Sequence, residues 1–190
     1  MHFGAPDPEK SRKRERHFVR WLGTIEAEVA ELYLLGDVFD FWFEYKHAVP
    51  KGGIRLLGKL AQLADQGVQV HIFTGNHDLW YGDYLAREFG AKLHRKPLVR
   101  EFFGKTYYFA HGDGLGPGDY GYKLMKRVFT NPLAQWLFHR LHPNFGIWLA
   151  RFASGLSKHH NYEDIFAPET KHLGDKEFLY CHAQEVLKEQ

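Results

Sequence analysis

Three short polar clusters hold the side chains in this sequence best suited to chemistry: Gly36-Asp37-Val38-Phe39-Asp40, Gly75-Asn76-His77-Asp78 and His111-Gly112-Asp113. Together they offer carboxylate, amide and imidazole donors, and the single cysteine, Cys181, supplies no thiolate set to compete with them. Oxygen and imidazole donors suit Mn, Fe, Zn or Mg rather than metals that demand sulfur. A carboxylate such as Asp37 can place one oxygen on each of two cations, and cations about 4 Å apart can together activate water and neutralise a phosphoryl group. The chemistry expected of the set is two-metal phosphoester hydrolysis, centred on Asp37, Asn76 and His111. Taken singly, each cluster has an ordinary explanation. Gly36-Asp37 can be a turn closing a strand, Asn76-His77-Asp78 the N-cap of a helix before Trp80, and His111 a satisfied histidine. Only the combination, with each cluster following an apolar run, points to a site.

Those clusters need a scaffold that brings them together. Residues 8–31 begin charged and then place Phe18, Trp21, Leu22, Ile25 and Val29 at helical spacing. The continuous apolar run after Glu31 has strand length and ends in Gly36, which puts Asp37 just past a buried strand. A second unit repeats the pattern: a helix through Ile54, Leu57, Leu60, Ala61 and Ala64, stopped by Gly67, then a strand over 68–73 leading into Asn76. Ligands of parallel α/β sheets bind at the carboxyl ends of the strands, so Asp37 and Asn76 are expected to converge. Runs at 98–103 and 106–110 flanking Gly104-Lys105 predict an antiparallel hairpin whose second strand delivers His111 to the same edge. From about Asp119 to Ser157 the chain reads as helical, aromatic and basic. Periodicity is then lost over 159–174 before a last helix over 175–188.

With 190 residues and 44% hydrophobic composition, one α/β domain over 1–190 is expected, containing a helical insertion or cap at about 122–172. A formal net charge of +2 argues against nucleic acid as a partner. One cysteine cannot form an internal disulfide, which fits a reducing compartment, and Cys181 reads as a helix-packing residue. No apolar stretch approaches the roughly 20 residues that span a bilayer, so a cytoplasmic protein is expected. In the insertion, Lys126, Arg127, Arg140 and Arg151 alternate with Phe129, Trp136, Phe138, Phe145, Trp148 and Phe152, consistent with amphipathic helices. Some of these aromatics are expected to pack on the domain. The rest would form an acyl-chain groove and a patch touching an anionic membrane surface.

In their order GDVFD, GNHD and HGD, the clusters resemble the calcineurin-like metallophosphoesterase superfamily. The stretch HGDGLGPGDYGY and the aromatic–basic segment after it are similar to the UDP-2,3-diacylglucosamine pyrophosphatase branch of lipid A biosynthesis. That resemblance implies a four-layer sandwich of two mixed β-sheets flanked by helices, with a helical cap. It also implies a centre of two divalent metal ions, usually manganese. The implied reaction cleaves the pyrophosphate of UDP-2,3-diacylglucosamine to 2,3-diacylglucosamine 1-phosphate and UMP, in a protein peripherally associated with the inner membrane. By the same resemblance His2, Asp37, Asn76 and His111 are metal ligands, and Asn76 and His77 contact substrate phosphate, with His77 also stabilising developing charge or protonating the leaving group. Asp119 resembles a contact to the nucleotide part of the substrate, Ser157 a substrate-contacting serine in the insertion, and Lys171 a cationic contact.

The sequence also departs from that pattern. The branch opens with a strand ending in Asp-x-His and closes with a further strand and a Gly-His-x-His motif; this sequence starts Met-His-Phe-Gly and ends at Gln190. The first strand, the C-terminal strands and three ligands are expected to be missing, which predicts weak metal binding. His159-His160 is a poor substitute, because neighbouring side chains of extended chain point apart. Two other readings stay open: a different phosphodiesterase or nuclease of the superfamily, or a degenerate binding module. Oligomeric state is not legible.

Overall fold

The computed structural model describes residues 1–5, 7–113, 120–149 and 185. Asp119, Arg151, Phe152, Ser157, His159, His160, Lys171 and Cys181 lie outside the described residues, as does all but Glu185 of the expected helix over 175–188. The fold is mixed α/β, with one parallel and one antiparallel sheet among the described residues. The chain divides into two compact units, Met1–His111 and Gly112–Gln190.

In the first unit, helix α1 spans Pro8–Ile25. Asp7 caps it, its carboxylate accepting from the amides of Glu9 and Lys10 at 2.9 Å each, and Pro8 follows where no amide donor is needed. The helix stops short of the expected residue 31, because the amides of Glu28 and Val29 both turn back to the carbonyl of Ile25. Strand β1 (Glu31–Leu34), helix α2 (Ile54–Asp65), strand β2 (Gln69–Phe73), helix α3 (Tyr84–Phe89) and strand β3 (Lys92–His94) then build a parallel sheet in the order β1-β2-β3. Alternation along the strands sends Leu32, Leu34, Val70 and Ile72 into one core with Leu22, Leu56, Leu60 and Leu63 of the helices. Helix α2 starts at Gly53, which has no side chain to cap it. Glu15 of α1, 3% exposed, supplies the missing acceptor to the amides of Arg55 (2.8 Å) and Leu56 (3.1 Å).

Strands β4 (Leu98–Phe102) and β5 (Lys105–Phe109) form the antiparallel hairpin. Its two-residue turn is Phe103-Gly104, one position earlier than Gly104-Lys105. Both turn residues have positive φ, +52° and +71°, the mirror-image geometry that matches strand twist. The sheet face opposite the helices carries Tyr33, whose ring stacks on His71 (centroids 4.3 Å apart) and on Phe109 of the hairpin (4.4 Å). His71 Nδ1 and His94 Nε2 share a hydrogen bond at 2.8 Å, while Arg100 donates to Glu31 and to the Tyr33 hydroxyl, each at 2.8 Å.

In the second unit, helices α4 (Tyr120–Phe129) and α5 (Pro132–Phe138) are followed by a helical stretch over 143–149. Asn131 caps α5 through the amides of Leu133 and Ala134. Leu133, Trp136, Leu137, Phe145 and Trp148 are each at least half exposed, and the Arg140 guanidinium lies 3.4 Å from the centre of the Trp136 ring. Among the described residues no helix is long and apolar enough to cross a membrane.

Candidate metal centre

The loop after β1 turns sharply at Gly36 (φ +84°) and Asp37 (φ +50°), and the loop after β2 passes directly against it. Both glycines are sterically required. A Cβ on Gly36 would lie 2.6 Å from Nδ1 of His111 and 2.9 Å from the Cα of Gly75; one on Gly75 would strike the carboxylate and amide nitrogen of Asp37. The opening residues run beside the first loop: the amides of His2 and Phe3 donate to the carbonyls of Asp37 (2.8 Å) and Val38 (2.9 Å), and Asp40 donates back to Phe3 (3.0 Å). His2, Asp37, Asn76, His77 and His111 are thereby brought together from four segments of the first unit.

Asp37 sits at the middle. Its Oδ1 accepts from the His77 amide at 2.9 Å, and its Oδ2 lies 3.5 Å from His2 Nε2 and 3.4 Å from His111 Nε2. The Asn76 Oδ1 atom is 3.2 Å from that same His111 nitrogen. Burial pushes the Asp37 carboxyl up, but the His111 ring and the His77 amide stabilise the anion more, holding it at about 2. At neutral pH it is a carboxylate. His111 Nδ1 lies 2.8 Å from the carbonyl oxygen of Leu35, which can only accept, so one ring proton is assigned to Nδ1; the protonated ring also donates through Nε2 to Asp37 and Asn76, and without that second proton the Nε2 lone pair faces the same oxygens and is open to a cation. A backbone carbonyl that fixes the tautomer in this way is the usual outer partner of a metal-binding histidine. An ionised carboxylate, an amide oxygen and imidazole nitrogens of fixed tautomer fit a borderline or hard divalent cation.

Asp40 is the residue of GDVFD for which sequence reasoning assigned no role. Its Oδ1 is 3.6 Å from Nδ1 of His77 and 3.9 Å from Nδ1 of His2, and its backbone carbonyl is 3.2 Å from His77 Nδ1. His2, Asp40 and His77 each offer an atom within 4.8 Å of the others, so the three can themselves hold an ion. His2 faces Asp37 with Nε2 at 3.5 Å and Asp40 with Nδ1 at 3.9 Å. Asp40 holds His77 Nδ1 through its backbone carbonyl and sets its carboxylate beside the rings of His2 and His77, which meet edge to face with centroids 4.6 Å apart.

No family model matches the chain. It is 42% identical over 154 residues to the UDP-2,3-diacylglucosamine hydrolase of Porphyromonas gingivalis, an alignment covering 78% of this chain and 57% of the relative. The hydrolases of the same name from Pseudomonas fluorescens and Edwardsiella ictaluri are 32% identical over 126 residues and 35% identical over 124, covering 66% and 65% of this chain and 50% and 48% of those proteins. Over most of its own length the chain is similar to UDP-2,3-diacylglucosamine hydrolases. It spans about half the length of the curated relatives it matches.

Within this mixed α/β fold the structure corrects one sequence-based alternative. Asp78 caps no helix before Trp80, since the next helix, α3, begins at Tyr84. Its carboxylate, fully buried, instead accepts from the loops themselves: Oδ1 from Gly75 (2.8 Å) and Asp37 (3.2 Å), and Oδ2 from Val38 (2.8 Å) and Phe39 (3.3 Å). The Tyr81 hydroxyl adds a fifth donor at 2.8 Å. Burial raises the Asp78 carboxyl, and these amides and the hydroxyl oppose it. A carboxylate three residues after the glycine of a strand-end turn was visible in the sequence, but its direction was not. Asp119, Ser157 and Lys171 lie outside the described residues, so this site is built without them.

Proposed function

We propose that this chain carries the metal centre of a metal-dependent hydrolase that cleaves the pyrophosphate of UDP-2,3-diacylglucosamine, giving 2,3-diacylglucosamine 1-phosphate and UMP in lipid A biosynthesis. The observation that carries the reading is one oxygen, Asp37 Oδ2, flanked by His2 Nε2 at 3.5 Å and His111 Nε2 at 3.4 Å. A carboxylate so placed could serve two cations at once. His2 and Asp37 would hold one; Asp37, Asn76 and His111 the other. Manganese is the ion proposed, from the family resemblance. Two divalent cations, when bound, supply Lewis acidity to the phosphoryl group and to the attacking water.

The protein's own groups divide the remaining tasks. Asp37 stays anionic across the neutral range, and the Leu35 carbonyl keeps His111 in its ligating tautomer. His77 follows Asn76 and is held at Nδ1 by Asp40, which assigns to its Nε2 the contact to phosphate or the delivery of a proton to the leaving oxygen. Asn76 shares that contact with substrate. Asp119, Ser157 and Lys171 are assigned to the nucleotide and to the anionic parts of the substrate. The architecture proposed is the four-layer sandwich, a single domain over 1–190 with a helical insertion at about 122–172. The exposed Trp136, Phe145 and Trp148, with Arg140 among them, support an acyl-chain contact and peripheral association with an anionic inner-membrane surface on the cytoplasmic side.

Turnover of UDP-2,3-diacylglucosamine and of bis-p-nitrophenyl phosphate, compared in Mn(II) as kcat/KM, tests the substrate. Preference for the lipid-linked sugar nucleotide is the expected result. Equal or better hydrolysis of the generic diester would overturn the assignment.

A further inference from the structure

We propose that Asp78 is the positioning residue of the metal centre, the group that sets the Asp37 loop against the Asn76 loop. The inference rests on the metal-centre reading above. Asp78 touches none of the four ligand side chains through its hydrogen bonds; all its loop partners are backbone amides. Those amides are not scattered. Three are consecutive, Asp37, Val38 and Phe39, so the carboxylate grips the peptide on both sides of the ligand that lies in the left-handed region at φ +50°. The fourth, Gly75, precedes the ligand Asn76.

One buried anion therefore fixes the entry of two strand-end loops that share no strand pairing at this point. A left-handed Asp is disfavoured by the approach of its Cβ to the following carbonyl and persists only where neighbours over-determine it. Charge-assisted bonds from four amides supply that determination. Nothing else among the described residues joins the two loops through so many backbone groups. Tyr81 has a different role: its hydroxyl orients Oδ2 and touches neither loop backbone.

The two possible roles of Asp78, positioning and plain stability, separate in the variants. Asp78→Asn exchanges an acceptor oxygen for an NH2 that faces the amide donors. Tyr81→Phe removes one donor to Asp78 and leaves all four loop amides in place. Both buried changes are expected to lower the melting temperature. Only Asp78→Asn is expected to weaken Mn(II) binding by tenfold or more, with Tyr81→Phe within about twofold of the parent. It is also expected to release the amides of Val38 and Gly75 to rapid hydrogen exchange while β2 amides stay protected.

Loss of Mn(II) affinity in proportion to melting temperature in both variants would overturn the proposal. So would Asp78→Asn binding Mn(II) like the parent. If Asp78→Asn does not fold, exchange on the metal-free parent decides: slow exchange at Val38 and Gly75, matching β2, supports the tie, and solvent-like rates overturn it. Failure of the metal-centre reading shows up separately, as a parent chain and its Asp37→Asn variant that bind Mn(II) alike. In that case the exchange measurement still tests the loop tie.

Discussion

At Asp37, a left-handed backbone, a nearly buried carboxylate and a neighbouring glycine occupy the same few ångströms. Gly75 is the side of that contact that can be tested without touching a donor. Gly75→Ala would push a methyl group into the Asp37 carboxylate, and overpacking of this kind costs about 1–3 kcal/mol. Urea unfolding should show that loss, and Mn(II) affinity should fall with it. An alanine variant with parent stability and affinity would mean that the loops are not in this contact. Asp37, Asn76 and His111 were legible in the sequence because their types and their places after apolar runs restrict what they can do. Asp40 and Asp78 were printed in the same motifs, yet their roles were hidden. Whether a carboxylate turns toward an imidazole, a row of amides or solvent depends on loop dihedrals, which periodicity does not report.

Among the elements, α1, β1, α2, β2 and the hairpin could be read from their apolar spacing, whereas α3 and β3 are too short, at six and three residues, to establish a period. The hairpin turn moved by one residue because Phe103 accepts a positive φ that sequence preference assigns to glycine or asparagine. Glu15 shows one element completing another. Glu15→Ala leaves the first amides of α2 without their acceptor, and a loss of about 1–2 kcal/mol is expected in denaturant unfolding. An unchanged midpoint would show that water caps α2 equally well.

The His71–His94 pair links β2 to β3 and is pH-sensitive. Burial, then the His94 charge, lower His71; burial, then the charges of Lys92 and Arg100, lower His94; Glu31 opposes the shift at His71. Folded pKa values below the unfolded value of about 6.5 mean that the unfolded chain takes up protons first on acidification. The pair's stability is thus complete above pH of about 6.5 and is lost as pH falls from there toward the folded values. His94→Gln keeps a donor for His71 Nδ1 without titrating. It should flatten the decline in urea midpoint between neutral and mildly acidic pH; a slope equal to the parent's would exclude the pair as its source.

On the scale of the molecule, the two units carry different parts of the proposed function, the first the metal donors and the second an exposed aromatic–basic surface. Their independence can be tested. Replacing Trp136 and Trp148 with Ser should reduce flotation with vesicles containing anionic lipid by several-fold and leave Mn(II) affinity unchanged. Undiminished flotation would remove the membrane role of these side chains. The family resemblance was legible from three motifs in order, because a site assembled at strand ends keeps its chemistry in short, recognisable stretches. The proposed acyl-chain contact was less legible, since it rests on a helical segment whose exposed faces only the folded chain displays.

The central claim is that Asp37 serves two cations, and calorimetric titration of Mn(II) into the parent chain and its Asp37→Asn and Asn76→Ala variants tests it most directly. The donor geometry predicts binding to the parent that Asp37→Asn abolishes at both sites, while Asn76→Ala weakens one. Mn(II) binding by Asp37→Asn with the affinity and stoichiometry of the parent would contradict it.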